Sequence, residues 1–240
     1  MTTYFLSDIH LDETRPAIME RFLHFLQTSA LQAQAVYLLG DIFETWIGDD
    51  DDLPLHNTIQ TALAALTSTG VSVYFMHGNR DFLVGERFAQ TTGCTLLPEA
   101  VVIDLYGTPT LLLHGDTLCT ADVEYQAFRK QARSPLYQHA FLQKPLLERR
   151  AIAAHIRATS KEKGSLKADY IMDVTEDEVI AQMERHQAKR LIHGHTHRPG
   201  RHQHKLHNNE QVERIVLGAW EDTSLILKCT AEEQALIMVE

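Results

Sequence analysis

Fourteen histidines occur in this chain of 240 residues, and several stand beside aspartate and glycine in short groups. The groups are Asp8-Ile9-His10, Gly40-Asp41, Gly78-Asn79-Arg80-Asp81, His114-Gly115-Asp116 and His193-Gly194-His195-Thr196-His197. Asp, Asn and His together supply oxygen and imidazole donors without thiolate. That set suits Mn, Fe, Zn or similar ions at hydrolytic sites, and magnesium alone would not require so many histidines. With Asp8 and Asp41 as the only anionic ligands, two divalent ions and a bridging hydroxide leave a local charge of about +1. Such a centre attracts phosphate and stabilises the charge that develops in phosphoryl transfer, and the amide of Asn79 ligates without cancelling that charge. Any one group alone is weak, because Asp and Gly populate turns for backbone reasons. Five in series point to a site for two metal ions.

Their placement depends on the elements that precede them. Strands are expected at residues 3–7, 35–39, 71–76, 110–113 and 190–192. Helices are expected at 17–29, with Pro16 in the first turn, at 58–68, and from Thr175 to near His186, where Thr175 and Glu178 have capping-box spacing. This alternation predicts βαβ units around a mainly parallel sheet. Each group then falls just after a strand, and the carboxyl ends of strands in an open α/β sheet share one crevice. Residues i and i+2 of extended backbone face the same side, which predicts that Asp8 with His10, and His195 with His197, both face it. The glycines permit close backbone turns beside them. After Pro199 the runs 211–217, 224–229 and 234–239 predict an antiparallel sheet. The whole, residues 1–240, reads as one domain, interrupted at 134–164 by a helical, basic segment expected to be an inserted lid.

Composition excludes several classes. The hydrophobic fraction of 44% and charged fraction of 22% are ordinary for globular chains. No apolar run approaches the roughly 18 to 20 residues of a membrane-spanning helix. Met1 leads straight into an apolar stretch without a basic n-region, so secretion is not expected. Cys94, Cys119 and Cys229 are far apart and in no C-x-x-C spacing, which fits reduced thiols in a cytosol. A net charge of -10 argues against nucleic acid as a partner. The charge is uneven: between Arg129 and Lys167 lie ten Lys or Arg but only Glu148 and Glu162, leaving twelve basic and thirty acidic residues elsewhere.

Within the segment, Leu136, Phe141, Leu142, Leu146, Leu147, Ile152 and Ile156 offer apolar surface. Arg149, Arg150, Arg157, Lys161 and Lys163 offer charge for phosphates or lipid head groups. Leu142, Leu146 and Ile152 are expected to shelter acyl chains. Asp49 to Asp52 repel one another and lack calcium-loop spacing, so a solvated turn is expected. His202, His204 and His207 read as surface residues, His77 and His193 as packing or supporting residues, and Trp46 and Trp220 as core or pocket wall.

The series resembles the motifs of calcineurin-like metallophosphoesterases, D-x-H, G-D, G-N-H-D/E, H and G-H-x-H, with Arg80 where the superfamily has His. Four runs narrow the match: His77 to Leu83, Trp46-Ile47-Gly48-Asp49-Asp50, His114 to Cys119, and Ile192 to Pro199. From Asp8 to Trp220 they resemble the UDP-2,3-diacylglucosamine hydrolase family. The resemblance implies an αββα sandwich with a helical lid, peripheral attachment at the cytoplasmic face of a bacterial inner membrane, and dependence on Mn. The implied substrate is an acylated nucleotide sugar, cleaved at its pyrophosphate to UMP and 2,3-diacylglucosamine 1-phosphate in lipid A biosynthesis. An anionic membrane surface is the other implied partner, with no protein partner. Asp8, His10, Asp41 and His197 would hold one metal, and Asp41, Asn79, His114 and His195 the other. Asn79, Arg80, His195, Asp122, Ser160 and Lys167 would contact substrate, and Gly164 stands where a relative carries Asn. The expected chemistry is in-line attack of a metal-held hydroxide on the α-phosphorus, with Asp41, Asn79, Arg80 and His195 as the catalytic set. The departing sugar phosphate is stable as an anion and needs little acid catalysis, so a His at position 80 is dispensable. Two rivals are a soluble nucleotide phosphodiesterase, against which the lid argues, and a silent binding scaffold, which has no need of all seven ligands.

Overall fold

Alternation along the first strand sets the layers. In β1 (Thr3–Leu6) all four side chains are buried; Tyr4 and Leu6 join one core, while Phe5 joins another on the opposite face. The computed structural model describes residues 1–166, 171–221 and 223–239, with the side chains of residues 161 and 163–166 left aside. β1 lies between β10 (Leu225–Cys229) and β2 (Ala35–Leu39), in a six-stranded sheet completed by β3 (Ser72–Met76), β4 (Thr95–Leu97) and β11 (Gln234–Met238). β1 to β4 run parallel, and β10 and β11 extend the β1 edge antiparallel. The second sheet orders β5 (Ala100–Leu105), β6 (Thr108–Leu113), β7 (Arg190–His193), β9 (Gln211–Val216) and β8 (Gly200–Lys205).

Helices α1 (Pro16–Gln27), α2 (Pro54–Ser68) and α3 (Glu86–Thr92) cover the first sheet. In α1, Ile18, Phe22, Phe25 and Leu26 recur on one face, each contributing about 1.5–3 kcal/mol on burial. Phe5, Leu39 and Met76 of the first sheet meet Leu111, Leu113, Leu191 and Ile215 of the second. Val179 and Met183 of α7 (Glu176–Arg185) belong to that same core, which gives the expected αββα sandwich.

Several local expectations are corrected. The runs after Pro199 do not form a sheet of their own. β9 pairs parallel with β7 and antiparallel with β8, while β10 covers the open edge of β1, where Leu227 and Cys229 join the core of Phe5. Thr175 precedes α7, yet its hydroxyl donates to Leu118 O at 3.2 Å and faces Thr120 Oγ1 at 2.7 Å, so no capping box forms. His204 is buried: Arg214 Nε donates to its Nε2 at 3.1 Å. His202 and His207 are exposed. The three cysteines are buried and unpaired. No described helix is long and apolar enough to cross a membrane.

Between β6 and β7 run α4 (Val123–Ala132), α5 (Pro135–Leu142) and α6 (Leu146–Leu166), so the helical segment begins before residue 134. Arg129 Nε donates to Asp116 Oδ2 at 2.7 Å and Arg133 Nη2 to Gly78 O at 2.8 Å, tying α4 to two strand ends. The Asp49 to Asp52 run is a turn solvated only in part, with Asp50 and Asp52 exposed and Asp51 buried. Asp49 accepts from Trp46 Nε1, Gly85 N and Phe88 N at 3.1, 2.9 and 3.0 Å. Asp50 pairs with Arg149, and Asp51 and Asp52 each meet Arg150 at 2.6 Å. Arginines 99 residues away relieve the repulsion that the sequence suggested.

Candidate metal centre

Beyond β1, β2, β3, β6 and β7 the chain turns sharply, and the turns carry the donor residues. Asp8, His10, Asp41, His195 and His197 have φ of 52, 53, 55, 68 and 55°, five of the eight positive-φ non-glycine residues among those described. Such backbone costs roughly 1–3 kcal/mol per residue and collects where function requires it. Neither Asp8 with His10 nor His195 with His197 converges through extended backbone, as the sequence suggested; left-handed turns aim them. Backbone bonds hold the turns, with Asp8 N donating to Gly40 O at 3.0 Å and His10 N to Asp41 O at 2.9 Å. Glycine is required by close approach: a Cβ at Gly78 would lie 2.1 Å from Asp41 Oδ1, and one at Gly194 2.2 Å from Asp8 Oδ2.

The donor atoms gather in two overlapping groups. Asp8, His10 and His197 offer atoms within 4.8 Å of one another, as do Asp8, Asp41 and His114. His10 Nε2 and His197 Nε2 are 3.2 Å apart, a separation that two nitrogens each about 2.0–2.1 Å from a shared ion take. Asn79 Oδ1 lies 3.0 Å from His114 Nε2 and 2.9 Å from His195 Nδ1, a second convergence. Asp41 spans both, with Oδ2 4.0 Å from His10 Nε2 and Oδ1 3.7 Å from His114 Nε2. Asp8 Oδ1 is buried without a hydrogen-bond donor. His197 Nε2 lies 3.3 Å from it without a well-formed hydrogen bond, and a buried carboxylate oxygen that faces imidazoles but accepts from none fits a metal ion.

Supporting contacts show which nitrogens are free for an ion. His114 Nδ1 donates to Leu39 O at 2.9 Å, which leaves Nε2 a lone pair, while His10 Nδ1 lies 2.9 Å from Glu44 Oε2, an ion-pair contact with the carboxylate and not a formed hydrogen bond. Burial opposes ionisation of Asp8, but His197, His114 and His10 overcome it and hold its carboxyl below the ordinary range. Burial also opposes charge on His114 and His197, and the neighbouring aspartates outweigh it and raise both. His195 is pushed down to about 4 by burial and then by His114, and His193 to about 3 by burial and Arg214, so both imidazoles are neutral. Asp81, to which the sequence reading gave no role, accepts from Gly78 N and Ile42 N at 2.8 Å and so ties the turns after β2 and β3 together. Asp116 was likewise named without a role, and Tyr125 and Glu44 were missed. Tyr125 stacks on His195 with ring centroids 6.0 Å apart and donates to Asp116 Oδ2 at 2.7 Å. Nothing local in the sequence marks Tyr125 or Glu44; their roles arise from α4 and the β2 turn meeting other elements.

Above the donors opens a cavity of about 1100 Å³. Asn79, Arg80, His195 and His197 line its floor side, Asp122 and Ser160 line it from the helical segment, and Trp46, Phe82, Phe128, Phe141, Ile156 and Met172 make it apolar. Asp122 also caps α4, accepting from Tyr125 N at 3.1 Å. Lys167 lies outside the described residues, as do the side chains of Lys161 and Lys163 and any contact of Gly164. Leu142, Leu146 and Ile152 do not line the cavity; Leu136, Leu142 and Leu147 are exposed instead. Arg149 and Arg150 face Asp50 to Asp52 and do not line the cavity. Trp46 is cavity wall and Trp220 is core, as expected, and His77 packs with Nε2 2.7 Å from Val84 O.

A family model described as calcineurin-like phosphoesterase matches residues 1–199. UDP-2,3-diacylglucosamine hydrolases of Escherichia coli O7:K1 and Escherichia fergusonii are each 51% identical to the chain over 237 residues, covering 99% of it and 98% of the relative.

Proposed function

The chain belongs to the UDP-2,3-diacylglucosamine hydrolase family of calcineurin-like phosphoesterases, and from that premise we propose that it cleaves the pyrophosphate of UDP-2,3-diacylglucosamine. The products are UMP and 2,3-diacylglucosamine 1-phosphate, a step of lipid A biosynthesis. The observation that carries this reading is the joining of a polar donor cluster to an apolar chamber of about 1100 Å³. A small soluble phosphodiester has no use for such a chamber, whereas a nucleotide sugar with two acyl chains fills both halves.

Asp8, His10, Asp41 and His197 would hold one ion, and Asp41, Asn79, His114 and His195 the other, with Mn the expected metal. When bound, two such ions activate water as a nucleophile at neutral pH and neutralise charge on phosphate oxygens. Asp41 orients the centre, since its Oδ1 also accepts from Arg80 N at 2.8 Å. The Arg80 guanidinium, at the cavity wall, grips the pyrophosphate and stabilises the departing phosphate. Neutral His195 and Asn79 orient the α-phosphate for in-line displacement, Asp122 and Ser160 contact the substrate from the helical segment, and Lys167 holds its phosphates. Residues 1–240 act as one domain with the helical segment as its lid, and the protein works at the cytoplasmic face of the inner membrane.

The test is turnover of UDP-2,3-diacylglucosamine by pure protein with Mn in labelled water. Label is expected in UMP. No turnover, together with rapid cleavage of a simple phosphodiester, would replace this reading by that of a soluble phosphodiesterase.

A further inference from the structure

The run Asp49 to Asp52 and the arginines opposite it take no part in the chemistry above, yet they form an ionic cluster that joins α6 to the loop after β2. Arg149 is 2% exposed, although it is a surface-helix arginine by sequence. Its Nη1 donates to Ile47 O at 2.6 Å and to Asp50 Oδ1 at 2.7 Å, its Nη2 donates to Asp50 Oδ2, and its Nε donates to Lys144 O at 3.0 Å. Gly48 has φ of 131°, and a Cβ there would stand 2.5 Å from Arg149 Nη1. Arg150 Nη2 meets Asp51 Oδ1 and Asp52 Oδ1, each at 2.6 Å.

The loop is tied to the core from its other side. Asp49 accepts from Gly85 N and Phe88 N at the start of α3, and buried Asp51 faces His56 of α2 at 3.6 Å. Trp46 and Ile47 of this loop line the cavity, and so do Ala153, Ile156 and Ser160, one to three turns along α6 from Arg149. One set of contacts therefore fixes two facing walls.

We propose that Arg149 with Asp50, and Arg150 with Asp51 and Asp52, form a latch that positions α6 against the loop 46–52 and so sets the grip of the cavity on the acylated part of the substrate. The residues are positioning residues and touch neither substrate nor donor cluster. The latch rests on the substrate reading above for its consequence, and on the contacts alone for its existence. Arginine is required at position 149 because its planar fork meets carboxylate and carbonyl together, which an ammonium does not reproduce.

Asp50→Asn and Arg149→Lys separate positioning from folding. Asp50 has a largely exposed side chain, so Asp50→Asn folds even if Arg149→Lys does not. Both variants are expected to raise KM for the diacylated nucleotide about 10- to 100-fold with kcat little changed, as the loss of uniform binding does. Cleavage of bis(p-nitrophenyl) phosphate with Mn should stay at the wild-type rate, and amide exchange should accelerate in α6 but not in β1 to β3. An equal loss on both substrates, or an unchanged KM with α6 exchange accelerated, overturns the assignment of grip to the latch. If the wild type itself leaves the diacylated nucleotide intact, the substrate reading fails. The latch is then judged by exchange alone, and unchanged α6 exchange in Asp50→Asn overturns it.

Discussion

Seven donor side chains from five strand ends meet because the turns between them carry almost no bulk. A Cβ at Gly194 would stand 2.1 Å from Ser7 Oγ and 2.2 Å from Asp8 Oδ2. Gly194→Ala should therefore leave the sandwich folded by circular dichroism and weaken Mn binding about 10- to 100-fold, as loss of support around a metal ligand does; wild-type affinity by titration would contradict it. Arg80 makes the corresponding case for charge geometry. On the proposed function its guanidinium would grip phosphate in a bidentate way, so Arg80→Lys should lower kcat/KM clearly with Mn affinity retained, and an unchanged kcat/KM would remove it from the mechanism. A third outcome concerns protons. The carboxylates around His114 and His197 raise both imidazoles above their ordinary value of about 6.5, and metal ligation needs them neutral. Mn affinity should fall as pH drops through that region, and calorimetry near pH 6.5 in two buffers of different ionisation enthalpy should show proton release that shrinks at higher pH. Release of no protons would argue against imidazole ligation.

At the scale of elements, what could be read in advance followed from how local its cause is. β2 occupies 35–39 as expected, and α1 starts at Pro16, because an apolar run and a proline act on their own neighbours. β8 was not legible: Gly-Arg-His-Gln-His-Lys buries only His204, so no alternation betrays it. The left-handed turns at Asp8, His10 and Asp41 were hidden as well, since Asp and His reveal no need for positive φ as glycine does. The motif residues were visible by type, while Glu44 and Tyr125 depended on contacts with distant elements. Asp49 belongs with the illegible group. It accepts two N–H groups at the start of α3 and one from Trp46, a cap supplied from 36 and 39 residues away. Asp49→Ala should cost about 1–3 kcal/mol in urea unfolding, the penalty for leaving such donors unsatisfied. It should also shift Trp46 fluorescence, and a loss below a few tenths of a kcal/mol would show water replacing the carboxylate without cost.

For the whole molecule, the sequence placed a basic lid on an acidic body and inferred attraction to an anionic membrane from the count. The contacts change that balance. Arg149 and Arg150 are neutralised by Asp50 to Asp52, Arg157 by Glu44, Arg129 by Asp116 and Glu99, and Lys144 by Glu148. Beside exposed polar residues such as Glu124, Lys130 and His139, the same helices expose apolar ones: Val123 in α4, Leu136 in α5 and Leu147 in α6 are 73%, 81% and 79% exposed. A leucine buried in the acyl boundary contributes about 1.5–3 kcal/mol, against about 1 kcal/mol for a cation near an anionic surface, and less where that cation already holds a carboxylate. Adhesion through the helical segment should then be chiefly apolar, with the net charge of -10 turning the body away from the lipid. Leu136→Ser combined with Leu147→Ser should lower sedimentation with anionic phospholipid vesicles more than tenfold, as the loss of two apolar anchors implies. Raising salt from about 0.1 to 0.5 M should matter much less, although it shortens the screening length. Turnover of bis(p-nitrophenyl) phosphate should be unaffected, because both leucines lie outside the cavity. Vesicle binding that salt abolishes and the double serine variant retains would return the membrane contact to the cations.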